Sequence, residues 1–200
     1  EITDIVYDSR KARPDTIFVA MRGANRDGHD SCMNAYENGC RDFVVEHRVT
    51  LPNDAITYLV ADSRRALSVM SRSLFQFTPK EEKKLVPTQL IAVTGTKGKT
   101  STCMILRSIL EAAGRKVGYI GTLGVMYDGK VLETPNTTPE SYEIFRHLRQ
   151  MRLSGCEYVL IEASSQGVKL HRTADLCFNL GVFTNLSPDH IGPGEHKTFE

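Results

Sequence analysis

The chain has 200 residues, 40% of them hydrophobic and 24% charged, with a net charge of +1. That composition suits a globular protein that buries a core, as one large domain or two small ones. It gives no global charge for holding nucleic acid or an anionic membrane, and no apolar run reaches the length of a membrane span.

The first stretch alternates strands and helices. Residues 2–7 alternate apolar and polar side chains like a strand, and Asp8-Ser9-Arg10 follows. Residues 16–21 read as a buried strand, 22–30 as a polar glycine-containing loop, and Cys32, Ala35 and Tyr36 as one side of a short helix ended by Gly39. Strands are expected at 42–46 and 57–61, and Asp62-Ser63 is a good N-cap for a helix over 64–77. Strands alternating with helices imply an α/β fold with a largely parallel sheet. Residues 78–87 hold a run of charges between Pro79 and Pro87 and read as a solvated helix end and loop or, more usefully, as a linker, which puts a domain boundary at 84/85.

The second stretch opens on Leu90-Ile91-Ala92-Val93, an apolar run long enough for one buried strand. Gly95-Thr96-Lys97-Gly98-Lys99-Thr100-Ser101 follows and leads into an amphipathic run to Ala113, with Met104, Ile105, Ile109 and Leu110 on its apolar side. A strand, a glycine turn and a helix N-terminus aim backbone N–H groups and the helix dipole at one point, which cradles a phosphate. Lys99 would reach the outer phosphates and the Thr100 hydroxyl would take a Mg²⁺ position. The match to the general P-loop is partial, since Val93 stands where its first glycine belongs.

Further on, a strand is expected at 116–121 and a hairpin over 125–132 turning at Asp128-Gly129. Thr138-Pro139-Glu140 has the chemistry of a helix start, for a helix running to Leu153 and stopping at Gly155. Strands at 158–161 and 180–183 end in polar groups, Glu162-Ala163-Ser164-Ser165 and Thr184-Asn185, with Asp189-His190 nearby. Ligands of open α/β sheets bind beyond such strand ends. Glu162 therefore reads either as a Mg²⁺ ligand or as a salt-bridge partner. His190 reads as a ligand or as a surface histidine, and Asn136-Thr137-Thr138-Pro139 as a capping cluster or a ligand contact. Asp8-Ser9-Arg10 and Ala24-Asn25-Arg26-Asp27-Gly28 are turns or a site for a polar, anionic substrate, and composition alone favours turns.

The cysteines, Cys32, Cys40, Cys103, Cys156 and Cys177, are odd in number, with no pair spaced like a zinc knuckle. They read as buried thiols of a reducing cytoplasm. Glu1 follows no signal-type segment, and the missing initiator Met reads as a trimmed start.

Taken together, these stretches resemble the Mur ligases. Gly95-Thr96-Lys97-Gly98-Lys99-Thr100 is similar to that family's ATP loop, which commonly reads GTNGKT, with Lys97 in place of Asn. Asp8-Ser9-Arg10 followed by Thr16-Ile17-Phe18-Val19-Ala20 resembles the first domain of the classes that add the third or the last amino acid to the peptidoglycan stem peptide. Asn136-Thr137-Thr138-Pro139, Glu162-Ala163-Ser164-Ser165-Gln166-Gly167 with His171-Arg172, and Val182-Phe183-Thr184-Asn185-Leu186-Ser187-Pro188-Asp189-His190 resemble the third-residue class.

The resemblance implies a small N-terminal α/β domain over 1–84 that binds the substrate, and part of a P-loop ATPase central domain over 85–200 with a mainly parallel sheet. It implies ATP on Gly95 to Ser101, and Mg²⁺ on Thr100, Glu162 and His190, with Lys99, Glu162 and His190 as the catalytic set. UDP-MurNAc-L-Ala-D-Glu would touch Tyr7, Ser9, Ala24, Asn25 and Arg26, and its dipeptide would pass Asn136, Thr137, Thr138, Ser164, Leu170 and Arg172. The co-substrate would be meso-diaminopimelate or L-lysine, joined through an acyl phosphate in peptidoglycan synthesis. The chain departs from the family pattern at Gln166 for His, at Leu170 for Gln, and at Ile191-Gly192-Pro193-Gly194 after His190. A third, amino-acid-holding domain and the family's modified lysine are expected beyond Glu200, so the chain alone is expected to be inactive and prone to self-association through an unpaired edge strand. The rival readings are the ligase adding the terminal dipeptide and a non-catalytic nucleotide-binding scaffold.

Overall fold

The structure is a computed structural model and describes residues 1–23 and 26–187. The chain divides into two compact units, Glu1–Leu74 and Phe75–Glu200.

The first unit is built on β1 (Asp4–Val6), β2 (Thr16–Val19), β3 (Asp42–Val45) and β4 (Ile56–Leu59). They form one sheet in that order, parallel throughout. β2 is buried along its whole length, as a central parallel strand must be. On one face Val6, Phe18, Phe43 and Val45 pack against Ala12, Cys32, Ala35 and Cys40. Phe18 meets Phe43 edge to face, with ring centroids 6.2 Å apart. Helix α1 (Cys32–Glu37) supplies Cys32 and Ala35 to that core, and the chain leaves it through Gly39 at φ +102°, a conformation that favours glycine. Helix α2 (Ser63–Phe75) is capped by the Asp62 carboxylate, which accepts from Arg65 N at 2.8 Å. The strands are shorter than their apolar patterns predict. Ile2 is exposed, and β4 is an edge strand whose Ile56, Tyr58 and Leu59 stay exposed.

The second unit holds α3 (Pro79–Glu82), β5 (Gln89–Thr94), α4 (Lys99–Ala112), β6 (Val117–Gly121), β7 (Gly124–Tyr127), β8 (Lys130–Leu132), α5 (Ser141–Leu153), β9 (Tyr158–Glu162), α6 (Ser165–Lys169) and β10 (Leu180–Phe183). The sheet order is β10-β5-β9-β6-β7-β8. The first four strands run parallel and the β7–β8 hairpin is antiparallel, as the mainly parallel expectation requires. Alternate residues on each strand point to opposite faces. Ile120, Val159 and Ile161 therefore join Ile144 and Met151 of α5 in one core, while Val117, Tyr119 and Leu160 join Cys103 of α4 in another. The hairpin turns at Asp128 and Gly129, both at positive φ, as its Asp-Gly pair predicts.

Three expectations need correction. The charged run is not a linker. Thr78 and Glu81 form a capping box that starts α3. Glu81 pairs with Arg149 at 3.0 Å and Glu82 with Arg152 at 2.6 Å, and both guanidinium groups lie over the Phe77 ring. These contacts bind the run to α5 within the second unit. On α4, Met104 and Leu110 do pack inward, with Leu106, but Ile105 and Ile109 are exposed, because the helix turns its Cys103–Leu106–Leu110 side to the sheet. Thr138 does not cap α5. Glu140 occupies that position without a side-chain capping bond, and Thr138 is buried elsewhere.

Among the cysteines, Cys32, Cys40, Cys103 and Cys156 are buried and free, but Cys177 is exposed, against the expectation that all are buried. Burial pushes the Cys32 and Cys103 thiols up to about 12, so neither supplies thiolate at neutral pH. A thiol reagent added to the native protein is expected to label Cys177 quickly and the other four only after denaturation. Rapid native labelling at Cys103 would contradict the packing of α4.

Candidate active site

Because β10, β5, β9 and β6 run parallel as neighbours, their carboxyl ends reach one edge of the sheet together. β5 ends in the glycine loop. Gly95 has φ +130° and Gly98, the N-cap of α4, has φ +84°. A Cβ at Gly95 would run into the Thr184 hydroxyl and come within 2.9 Å of Asn185 O. One at Gly98 would meet nothing within 4 Å, so the loop is open on that side.

The segment after β10 grips the loop. Asn185 Oδ1 accepts from Lys97 N at 3.0 Å and Asn185 Nδ2 donates to Lys97 O at 3.0 Å. Thr184 Oγ1 donates to Lys97 O at 2.7 Å, and Asn185 O accepts from Thr96 N at 3.0 Å. With the amides of Thr96 and Lys97 engaged, the first turn of α4 is left to meet an anion, since helix-start N–H groups lack intrahelical partners. The Lys99 ammonium curls over the loop and donates to Gly95 O at 2.7 Å and Thr96 O at 3.1 Å. Ser101 lies exposed in the same first turn.

Glu162 ends β9 next to this loop, and it is fully buried. Both of its oxygens are held by donors. Tyr119 OH and Thr122 N, at 3.3 Å, donate to Oε1. Thr100 Oγ1, at 3.1 Å, and Thr122 Oγ1, at 3.0 Å, donate to Oε2. Gly121 leaves room for the Tyr119–Glu162 pair, since a Cβ there would strike both groups. Burial, more than the carboxylate beside it, pushes the Tyr119 phenol well above its ordinary range, so it remains a donor. Among the described residues no Lys, Arg or His pairs with Glu162, so the salt-bridge reading finds no partner there. A buried carboxylate beside a helix-start hydroxyl fits a hard divalent cation such as Mg²⁺, which takes few protein ligands and keeps waters and phosphate oxygens for the rest. Among the described residues no group of three or more His, Cys, Asp or Glu gathers as a metal cluster. His190, and the departures at 191–194, lie outside the described residues.

On the far side of Glu162 lies a polar cluster. Thr138 Oγ1 donates to Glu162 O at 2.7 Å, accepts from Ser164 N at 3.0 Å and meets Ser164 Oγ at 2.9 Å. Ser164 caps α6 through Gly167 N. Thr138 is fully buried, so it serves as a strut and has no surface for a ligand. Thr137 is partly exposed, and Asn136 is exposed. Arg172 lies close by, paired with Glu140 at 2.9 Å and donating to Thr138 O at 3.1 Å. Leu170, the C-cap of α6, carries no polar group to offer.

In the first unit, Asp8 caps a turn over Ser9–Lys11 and pairs with Arg10 at 2.7 Å, which holds its carboxyl below the usual range. Tyr7 and Ser9 are partly exposed beside it. Ala24 and Asn25 lie outside the described residues, and Arg26 is exposed at the edge of that gap. The described residues nearby are tied down: Arg22 bridges Asp27, Asp27 bonds His29 Nδ1 at 2.5 Å, and His29 Nε2 accepts from Glu46 N at 2.9 Å.

Residues 93–200 match the Mur ligase middle domain, and residues 1–82 match the catalytic domain of the Mur ligase family. The chain belongs to the Mur ligase family. It is 38% identical over 200 residues to a UDP-N-acetylmuramoyl-L-alanyl-D-glutamate–2,6-diaminopimelate ligase of Clostridium perfringens, covering 100% of this chain and 40% of that one. The ligase of the same name from Clostridium tetani is 39% identical over 203 residues, with the same coverage. The chain thus spans about 40% of the length of the curated relatives it matches. A solved structure of a ligase with that name superposes with a TM-score of 0.78 at 24% identity, over 96% of this chain and 38% of its own. The MurF ligase of Thermotoga maritima, solved with ADP, gives a TM-score of 0.58 at 23% identity, over 91% of this chain and 37% of its own. These two likenesses bear on the fold.

Sequence reasoning missed Tyr119 and Thr122 in this Mur ligase site. Thr122 directly follows the end of β6, so the strand-end rule that singled out Glu162 could also have found it.

Proposed function

We propose that the protein carrying this chain joins 2,6-diaminopimelate to the D-Glu side-chain carboxylate of UDP-MurNAc-L-Ala-D-Glu, using ATP, in cytoplasmic peptidoglycan precursor synthesis. The observation that carries the reading is the meeting of the glycine loop, the buried Glu162 and the Thr137–Ser164–Arg172 cluster at one end of one sheet. The choice of diaminopimelate over lysine follows the names of relatives 35–39% identical to the chain.

In this reading the γ-phosphate of ATP lies at the first turn of α4, and Tyr7, Ser9 and the loop 24–26 take the nucleotide sugar. Lys99 leaves the loop carbonyls and neutralises the transferring phosphoryl group. The D-Glu carboxylate attacks that phosphorus, ADP leaves, and the acyl phosphate is then opened by the incoming amine with loss of phosphate. Thr100 and Glu162, with His190, would hold Mg²⁺, which supplies charge neutralisation on the phosphate oxygens when bound. Arg172 and Thr137 orient the peptide tail, and Thr138 and Ser164 hold that wall of the site in place.

The test is a product assay on the full-length protein with ATP, Mg²⁺, UDP-MurNAc-L-Ala-D-Glu and each amino acid in turn, read by mass. The expected result is a diaminopimelate tripeptide and stoichiometric ADP. A lysine product would overturn the choice of amino acid, and no ATP-dependent product with either would overturn the ligase reading.

A further inference from the structure

Thr122 joins the Glu162 carboxylate to the Thr137 hydroxyl, where Thr138 reaches only the Glu162 backbone carbonyl. Its hydroxyl donates to Glu162 Oε2 at 3.0 Å and lies 3.0 Å from the Thr137 hydroxyl. A hydroxyl has one proton to donate and two lone pairs with which to accept. While Thr122 donates to Glu162, the bond to Thr137 can form only if Thr137 donates. The Thr137 proton is then turned inward, and toward a ligand Thr137 offers lone pairs alone. If Thr122 instead donates to Thr137, the Thr137 proton is released outward, toward whatever occupies the peptide side of the site.

The state of Glu162 decides between the two arrangements. A buried carboxylate without a cation draws every donor within reach, because an unpaired buried charge is costly. A divalent cation at Oε2 neutralises that oxygen and weakens its hold on the Thr122 proton. We infer that Thr122 is a positioning residue that couples cation binding at Glu162 to recognition of an anionic peptide tail at Thr137, by reversing the direction of one hydroxyl–hydroxyl bond. The inference rests on the ligase reading for the identity of the tail, the D-Glu carboxylate of UDP-MurNAc-L-Ala-D-Glu. The cation turns Thr137 from a lone-pair presenter, which repels a carboxylate, into a donor, which binds it.

The coupling is reciprocal, so it can be read from binding alone. Thr122 is exposed in the turn between β6 and β7, so Thr122→Val removes the hydroxyl without opening a core cavity and keeps the backbone N–H that serves Glu162 Oε1. The experiment is calorimetric titration of the full-length protein with UDP-MurNAc-L-Ala-D-Glu, in the presence of a non-hydrolysable ATP analogue, with and without Mg²⁺. In the unmodified protein Mg²⁺ is expected to tighten the nucleotide sugar about 5-fold, the lower end of ordinary site–site coupling. The tightening is expected to vanish in Thr122→Val, to return in Thr122→Ser, and to be missing for UDP-MurNAc-L-Ala, which lacks the D-Glu. Tightening that survives in Thr122→Val, or binding that Mg²⁺ does not alter in the unmodified protein, would overturn the coupling while leaving the ligase reading in place. No binding of the nucleotide sugar under any condition would overturn the ligase reading and the coupling with it.

Discussion

Lys99→Ala is expected to lower ligation by the full-length protein by about 100- to 1,000-fold, the scale seen when one preorganised charge or donor is removed from a transition state. The fold should survive. Lys99 is only partly buried, and its ammonium bonds to the carbonyls of Gly95 and Thr96, which water can serve in its place. The stability cost should therefore be about 1 kcal/mol or less. Binding of UDP-MurNAc-L-Ala-D-Glu without ATP should be unchanged, since the contacts proposed for it, on the first unit and at Thr137 and Arg172, do not include Lys99. Lys99→Arg should recover little, because a planar guanidinium cannot replace a compact ammonium that must reach a phosphate over a tight loop. Turnover and the ATP KM, measured beside a urea melt, check all three points. Near-normal turnover in Lys99→Ala would mean that the loop's glycines and helix start, without the lysine, carry the phosphate chemistry.

The parts of this site that were legible in the sequence are those where one local pattern holds the chemistry. Gly98-Lys99-Thr100 follows an apolar strand and opens a helix, so its backbone geometry follows from neighbouring residues alone. Glu162 ends the run Tyr158-Val159-Leu160-Ile161 and had to emerge at a sheet end. Tyr119 falls inside the strand expected at 116–121, and it is buried. The destination of its hydroxyl depends on β9 lying beside β6, a pairing between residues far apart in the chain. Nothing in either strand states that neighbour. Thr138 was misplaced for a similar reason: Thr-Pro-Glu carries a true helix-start pattern, but the Glu162 carbonyl and the Ser164 hydroxyl compete for the same side chain and win it. The helix α3 was within reach, since Thr78-Pro79-Lys80-Glu81 has the capping-box spacing. The partners that hold it, Arg149 and Arg152, lie on a helix much later in the chain, where no local pattern points to them.

Glu162→Gln separates a carboxylate that binds a cation from one that only organises hydroxyls. An amide has the same size but replaces one acceptor oxygen with an NH₂ donor. If the NH₂ takes the Oε1 position, it faces Thr122 N–H, a donor that cannot turn, and Tyr119 OH, which must reverse. If it takes the Oε2 position, it faces Thr100 and Thr122, whose hydroxyls can reverse to accept. The second arrangement costs less, so the amide nitrogen should settle where the oxygen facing Thr100 had been. That nitrogen cannot ligate a hard cation. Mn²⁺ affinity, read by electron paramagnetic resonance in the presence of the ATP analogue, should fall by about 100-fold, at or beyond the upper end of what outer-shell changes alone produce. The Mg²⁺ dependence of turnover should move in the same direction. Stability should change by only about 1–3 kcal/mol, because the reversed hydroxyls still find partners. A carboxylate that merely organised Tyr119, Thr100 and Thr122 would give a different pattern: lower stability with unchanged Mn²⁺ affinity. That outcome would move the cation away from Glu162 and remove the basis for coupling through Thr122.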